Sequence, residues 1–269
     1  MEKLTSFLEE DIGYGDITTD IIVPDIDGTA EITCEDDAVI AGLEEAVTIF
    51  EEYCIECNPY VTDGERVMKG TVIMRLSGPL KNIITLERTA LNIMMRMSGI
   101  ATATNDVLTV CKKKNADVRV AGTRKTTPGF REFEKKAIIL GGGDPHRYGL
   151  DDMILVKDNH IKAAGGMKNV IDSLKRASFA KKIEIEVENV NDAVIAAGGG
   201  ADIIMIDNAD PEKAKEIASA VRKIADVKIE VSGNITKENA SDYAEFADII
   251  SMGSLTHSVR AIHFSLNIE

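Results

Sequence analysis

The alternation of apolar and polar positions changes character near residue 100. Before it, strand-like runs at Ala30–Cys34, Ala38–Ile40 and Thr71–Leu76 are bounded by the turn signals Asp27-Gly28, Asp63-Gly64 and Ser77-Gly78-Pro79. Val61–Ser77 reads as a hairpin pair. A helical pattern then runs from Leu80 to about Val110, with a kink or break expected at Ser98-Gly99. Beyond it, strand-like runs fall at Val118–Ala121, Met153–Val156, Ile183–Val187, Asp202–Ile206, Val227–Val231 and Asp248–Met252. Helical patterns lie between them at Phe130–Leu140, Val190–Ala197, Pro211–Ile224 and Lys237–Phe246. The last four strands recur about every 20–25 residues, the spacing of βα units around a parallel sheet. The first part is α+β. The second is an α/β barrel or an open doubly wound sheet.

The strand ends separate these two. Arg124 follows the first strand and Lys157 the second. Glu186 lies near the end of the third, and Asp207 ends the fourth. Ser232-Gly233-Asn234 follows the fifth and Gly253-Ser254 the sixth. A barrel gathers all such ends around one mouth, whereas an open sheet concentrates them at one switch point. The barrel is the better fit. The two glycine turns each precede a helix-like stretch, an arrangement that aims backbone N–H groups at a phosphate.

Charge sharpens the picture. The chain of 269 residues carries a net charge of −14, yet Arg124-Lys125, His146-Arg147 and Lys157 crowd into residues 122–161. Cations clustered inside an acidic protein mark a site for a small anion. The overall charge excludes nucleic acid or an anionic membrane as the main partner. Apolar content of 44% and charged content of 28% are ordinary for a globular chain. No stretch approaches the ~18 apolar residues of a membrane span, and the N-terminus lacks a signal-peptide pattern. A cytoplasmic location is expected. Cys34, Cys54, Cys57 and Cys111 form no disulfide framework, and Cys54 and Cys57 read as two thiols one helical turn apart.

Four local patterns carry chemistry. In Lys182–Glu188, Ile183, Ile185 and Val187 share one face and Glu184, Glu186 and Glu188 the other. Such carboxylates need solvent, cations or a metal, so the strand is either a solvated edge or part of a site. With Asp207 ending the next strand, the site is preferred, and two carboxylates from neighbouring strands suit Mg²⁺ or sugar hydroxyls. Arg88 falls in an apolar stripe with Ile84, Leu91 and Met95. It either snorkels to the surface or is held at an interface for an anion. Thr127 as N-cap and Pro128 at the first helical position start the helix after Arg124-Lys125, and Gly141 stops it. Arg131 and Lys135 read as solvated charges on that helix.

These residues resemble one family. The segment TRKTTPG…EKKA…GGGDPHRYGL…LVKDNHI is similar to the quinolinate phosphoribosyltransferases, also called carboxylating nicotinate-nucleotide pyrophosphorylases. The likeness extends through EDIGYGDIT (10–18), LERTALN (86–92), IEIEVEN (183–189), MIDN (205–208), EVSGNI (230–235) and SMGSLTHS (251–258). It implies an N-terminal α/β sandwich over residues 1–103 and an incomplete, open α/β barrel over residues 104–269. It implies transfer of phosphoribose from phosphoribosyl diphosphate to quinolinate with loss of CO₂, in de novo NAD biosynthesis, using Mg²⁺ and no organic cofactor. It further implies a homodimer with shared sites, or a hexamer built as a trimer of dimers.

Carried over motif by motif, the resemblance assigns Arg124, Lys125, His146, Arg147 and Lys157 to the pocket for quinolinate and diphosphate. Arg88 is supplied by a neighbouring subunit. Glu186 and Asp207 are the acidic pair near ribose and Mg²⁺. Ser232, Gly233, Asn234, Gly253, Ser254 and His257 hold the 5-phosphate. Lys125, Lys157, Glu186 and Asp207 are the expected catalytic set. Two positions depart from the family pattern: Gly122 stands where many members have Asp, and Pro145 where many have Asn. Two rival activities remain in view. One is a nicotinate phosphoribosyltransferase; the other is a lyase forming a Schiff base on Lys157.

Overall fold

The computed structural model describes residues 2–269. One compact unit takes in the chain up to Asn105, with residues 136–142 and 259–269. It begins with α1 (Glu2–Ile12) and α2 (Ile17–Ile22), the latter capped by Asp16, whose carboxylate accepts from the Thr19 N–H at 3.0 Å. Then come β1 (Asp27–Cys34), β2 (Ala38–Val39), α3 (Leu43–Glu52), β3 (Glu56–Pro59), β4 (Arg66–Val67) and β5 (Val72–Pro79). Alternate residues of β1, namely Ala30, Ile32 and Cys34, are fully buried.

The hairpin expected in Val61–Ser77 does not form. β4 pairs with β2, while β5 lies between β1 and β3. The reason is apolar demand: Ile73, Met74 and Leu76 of β5 are all fully buried, which a two-stranded ribbon cannot achieve. Cys54 and Cys57 are not a helical turn apart either, since Cys54 takes a left-handed φ of 62° after α3 and Cys57 lies in β3. All four thiols are free.

Helix α4 (Leu80–Lys112) runs 33 residues without the expected break. Ser98-Gly99 is a packing point instead. The Ser98 hydroxyl accepts from the Ala41 N–H at 3.0 Å and donates to the Ala41 carbonyl at 3.1 Å. A side chain at Gly99 would place Cβ 2.4 Å from the Arg260 carbonyl oxygen. The buried face of α4 uses Ile83, Leu86, Ala90, Leu91, Met94 and Met97. Ile84 and Met95 are only half-buried. Arg88 therefore stands off that face, its side chain 59% exposed.

The second unit comprises residues 106–135 and 143–258. Its elements are β6 (Arg119–Ala121), α5 (Arg131–Leu140, entering the first unit from Lys136), β7 (Ile154–Val156), α6 (Asp158–Ala163), α7 (Met167–Leu174) and β8 (Ile183–Val187). They continue with α8 (Val190–Gly198), β9 (Ile203–Asp207), α9 (Pro211–Arg222), β10 (Lys228–Ser232), α10 (Ala240–Ala244), β11 (Ile249–Ser251) and α11 (Ser254–His257). Asn189 caps α8, and Asp210 with Pro211 starts α9. The strands form one parallel sheet in the order β6-β11-β10-β9-β8-β7, unclosed between β6 and β7. This is the open barrel. β8 is an interior strand with Glu184 and Glu186 buried, so its acidic face is not a solvated edge. Only Glu188, beyond its end, is exposed.

Two local expectations fail here. Helix α5 starts at Arg131, not at Pro128: Gly129 has a φ of 83°, and the Phe130 N–H closes a turn on the Thr127 carbonyl at 3.0 Å. Thr127 instead donates its N–H and hydroxyl to the buried Glu134 carboxylate, at 3.1 and 3.0 Å. α10 is shorter than Lys237–Phe246, because the Asn239 side chain accepts from the Thr236 N–H and holds a loop there. Finally, β12 (Phe264–Ile268) returns to pair antiparallel with β1 and completes the sheet β12-β1-β5-β3. Residues 259–269 thus belong to the first unit. Among the described residues, no helix is long and apolar enough to cross a membrane.

Gly99→Ala should lower stability by about 1–3 kcal/mol, the usual cost of overpacking. A thermal melt checks this; an unchanged midpoint would show that the Arg260 backbone moves aside freely.

Candidate active site

All six strands of the barrel deliver their carboxyl ends to one cavity of about 810 Å³, within the range of small-molecule sites. Gly122 to Lys125 follow β6, Lys157 follows β7, and Glu186 lies on β8. Asp207 ends β9, Ser232 ends β10, and Met252 to Ser254 follow β11; all line the cavity. So do His146 and Arg147. Every expected site residue except Arg88 is thereby brought together.

The cations come in two groups. Arg147 is held below its ordinary range by burial and by the neighbouring Arg124 guanidinium. The Arg124 Nε is buried and has no hydrogen-bond partner among the described residues. Two close guanidiniums, one with an orphaned donor, form a fork suited to a carboxylate or phosphate. The second group faces the acids. Lys157 Nζ lies 2.5 Å from Glu186 Oε2. Its backbone is fixed by His160, whose Nδ1 accepts from the Lys157 N–H at 2.9 Å. Lys125 is exposed, and its carbonyl is anchored by the Thr256 hydroxyl at 2.7 Å.

Asp207 is pushed above its ordinary range by burial and by the Glu186 carboxylate. Neighbouring carboxylates on adjacent strands are a hard-oxygen donor set, and their mutual repulsion would be relieved by a divalent cation. The residues present fit Mg²⁺.

The glycine turns are tight by necessity. Gly233 has a φ of 87°, and a Cβ there would lie 2.3 Å from Asn208 Oδ1. A Cβ at Gly253 would lie 2.8 Å from Lys125 Cδ. Asn208 and Asn234 both take a left-handed φ of 52°, and the Asn234 amide donates to Asn208 Oδ1 at 3.1 Å. The helices expected after these turns are minor: α10 starts only at Ala240, and α11 has four residues. Backbone close approach, rather than a helix dipole, is what these turns offer. His257 lines the same wall, with Nδ1 at 2.6 Å from the Ser258 hydroxyl.

Around the Pro145-His146-Arg147 turn the structure assembles partners that the sequence patterns did not assign to the site, and one of them, Glu230, also lines the cavity. His146 Nε2 is 3.2 Å from Glu230 Oε2 and 3.4 Å from Glu184 Oε2, both glutamates being fully buried. Burial disfavours the imidazolium, but the two carboxylates outweigh it and push His146 up to about 10. Burial, with Glu230 beside it, pushes Glu184 up as well. Lys135 is fully buried, not solvated, and burial lowers it to about 8. Its ammonium donates to the Pro145 carbonyl. Arg131 is tied to the Thr126 hydroxyl at 2.9 Å and the Tyr148 carbonyl at 2.8 Å. Glu230 was recoverable, since it alternates with Ser232 onto the same face. So was His160, three residues after Lys157. Nothing in the sequence distinguishes a buried lysine such as Lys135 from a solvated one.

Lys157 is poorly placed for Schiff-base chemistry, since its Nζ is engaged by the Glu186 carboxylate rather than free to attack a carbonyl.

Comparison with known proteins follows the same outline. A family model described as quinolinate phosphoribosyl transferase, N-terminal domain, matches residues 16–98, and its C-terminal counterpart matches residues 100–267. A probable carboxylating nicotinate-nucleotide pyrophosphorylase of Archaeoglobus fulgidus is 45% identical over 259 residues, covering 95% of this chain and 98% of that one. The solved nicotinate-nucleotide pyrophosphorylase of Francisella tularensis superposes with a TM-score of 0.93 at 34% identity, covering 99% of this chain and 94% of that one. Human nicotinic acid phosphoribosyltransferase, at 14% identity, a TM-score of 0.62 and coverage of 99% of this chain and 73% of that one, shares the fold alone.

The orphaned Arg124 donor makes a prediction independent of substrate. A planar dicarboxylate, benzene-1,2-dicarboxylate, at about 100 times its Kd should stabilise the protein by about 2.7 kcal/mol. Arg124→Ala should shrink that thermal shift; an equal shift in both proteins would place the anion elsewhere.

Proposed function

The chain belongs to the quinolinate phosphoribosyltransferase family, and from that premise we propose how its barrel mouth carries out the family reaction. Quinolinate and phosphoribosyl diphosphate give nicotinate mononucleotide, diphosphate and CO₂, a step of NAD biosynthesis. The observation that carries the proposal is one cavity lined by Arg124 and Arg147, whose charges influence each other, and by the acidic pair Glu186 and Asp207. A planar dicarboxylate supplies the charge that two adjacent guanidiniums lack. A monocarboxylate supplies only half of it, which disfavours nicotinate.

Each residue then has a task. Arg124, Arg147 and His146 hold the two carboxylates and aim the pyridine nitrogen at the anomeric carbon of the sugar. Ser232, Gly233 and Asn234 with Gly253, Ser254 and His257 receive the 5-phosphate through close backbone approach. Lys125 and Lys157 stabilise negative charge on the departing diphosphate. Glu186 and Asp207 lie where positive charge develops on the ribose. The same two carboxylates would hold Mg²⁺, which supplies further charge stabilisation to the diphosphate. After the new C–N bond forms, the ring is cationic and accepts the electron pair released as the 2-carboxylate leaves as CO₂. No enzyme nucleophile or organic cofactor is required.

Arg88 is not among the residues lining the cavity, and its ion pair is with the adjacent Glu87 at 3.5 Å. We assign it to the site of a second subunit in a homodimer, from which a hexamer can be built. Tyr14, Ile17, Ile21 and Ile22, all strongly exposed, supply apolar surface for such an assembly. The four free thiols suit a reducing compartment, and we place the enzyme in the cytoplasm.

Turnover tests the proposal. Lys157→Ala should lower kcat/KM by about 10²–10³-fold. An Arg88→Ala chain and a Lys157→Ala chain, each nearly inactive alone, should regain activity when mixed and allowed to exchange subunits. Near-normal activity of Lys157→Ala would refute its role, and absence of complementation would refute the shared site.

A further inference from the structure

Arg147 is held beside Arg124 even though the two repel. The turn that carries it, Pro145-His146-Arg147, is in an unfavourable conformation: His146 has a φ of 55°, a region that costs a non-glycine residue about 1–3 kcal/mol unless its surroundings hold it there. Four contacts do so. The His146 N–H donates to Asp144 Oδ1 at 2.8 Å, and Asp144 is itself bridged to β6, its N–H reaching the Val120 carbonyl at 2.8 Å. The buried Lys135 ammonium donates to the Pro145 carbonyl. His146 Nε2 faces Glu230 at 3.2 Å and Glu184 at 3.4 Å. The Arg147 N–H donates to His146 Nδ1 at 2.8 Å.

The third contact decides what the histidine is doing. Two carboxylates facing Nε2 at 3.2 and 3.4 Å hold a proton on that nitrogen, which donates to them. A protonated Nε2 has no lone pair for a metal, although His146, Glu184 and Glu230 are close enough together to suggest one. Glu184 and Glu230 thus serve as acceptors under the ring. Among the described residues, both oxygens of Glu184 and Oε1 of Glu230 have no other hydrogen-bond partner. Glu184 also acts on Arg147, favouring its charged form against burial and Arg124.

We propose that Lys135, Glu184 and Glu230 are positioning residues for quinolinate: they fix the Pro145-His146-Arg147 turn and through it set the affinity for the dicarboxylate. This rests on the function proposed above. It also gives Pro145 a use, since only its carbonyl is gripped by Lys135 and its missing N–H is not needed there.

At near-constant side-chain volume, Lys135→Met removes the donor to the Pro145 carbonyl and Glu230→Gln removes the carboxylate charge facing His146. Each should raise KM for quinolinate about tenfold or more, with KM for phosphoribosyl diphosphate changed less than about twofold. A merely structural role would lower the melting temperature and the active fraction while leaving both KM values alone. The ring ¹⁵N resonances of His146, one of four histidines, supply a second readout. They should show a protonated Nε2 in the parent protein and shift in Glu230→Gln. An unchanged quinolinate KM, equal shifts in both KM values, or an unprotonated Nε2 in the parent would overturn the proposal. If the parent does not turn over quinolinate at all, the functional reading falls, and the ring resonances alone decide the grip.

Discussion

Repulsion between Arg124 and Arg147 organises the barrel mouth. Burial and like charge together disfavour holding two guanidiniums side by side, and Arg147 is shifted accordingly. The chain answers that cost locally. Glu184 and Glu230 face His146, the Asp144–Arg147 turn is tied down at four points, and the Arg124 Nε is left without a partner among the described residues. An anion completes the arrangement. The acidic residues of the same cavity have the complementary imbalance, with Asp207 raised by burial and by Glu186 against the opposing pull of Lys157 and Lys125. A site with both unmet negative charge and unmet positive charge suits a reaction between a dicarboxylate and a metal-bound diphosphate ester.

The scaffold makes this possible because a parallel sheet points all its strand ends the same way. Arg124, Lys157, Glu186, Asp207 and the two glycine turns sit at the ends of six strands that are scattered over 130 residues yet share one cavity. Rigid strands set the positions, and the loops supply the chemistry. The glycine at 233 is needed for proximity, since it takes a φ of 87° and a Cβ there would lie 2.7 Å from the Asn208 backbone nitrogen.

Much of this was legible from the chain. The βα periodicity located all six barrel strands within two residues, because interior parallel strands are short, continuous apolar runs with polar ends. The site residues were legible for the same reason: they follow directly where each run stops. The N-terminal part was harder. Its strand pairings are non-local, so Val61–Ser77 looked like a hairpin although β4 and β5 belong to different sheets. β12 was missed because its partner, β1, lies more than 200 residues away. Ser98-Gly99 resembled a helix break, but what it accommodates is the approach of distant backbone. Lys135 shows the limit most clearly, for burial of a lysine depends on what the fold folds over it and leaves no periodic mark.

The central claim is that two adjacent guanidiniums await a dicarboxylate, and calorimetric titration of the protein with quinolinate and with nicotinate tests it most directly. Quinolinate should bind at least about a hundredfold more tightly, because a monocarboxylate leaves buried donors unpaired. Equal affinity for the two acids would contradict it.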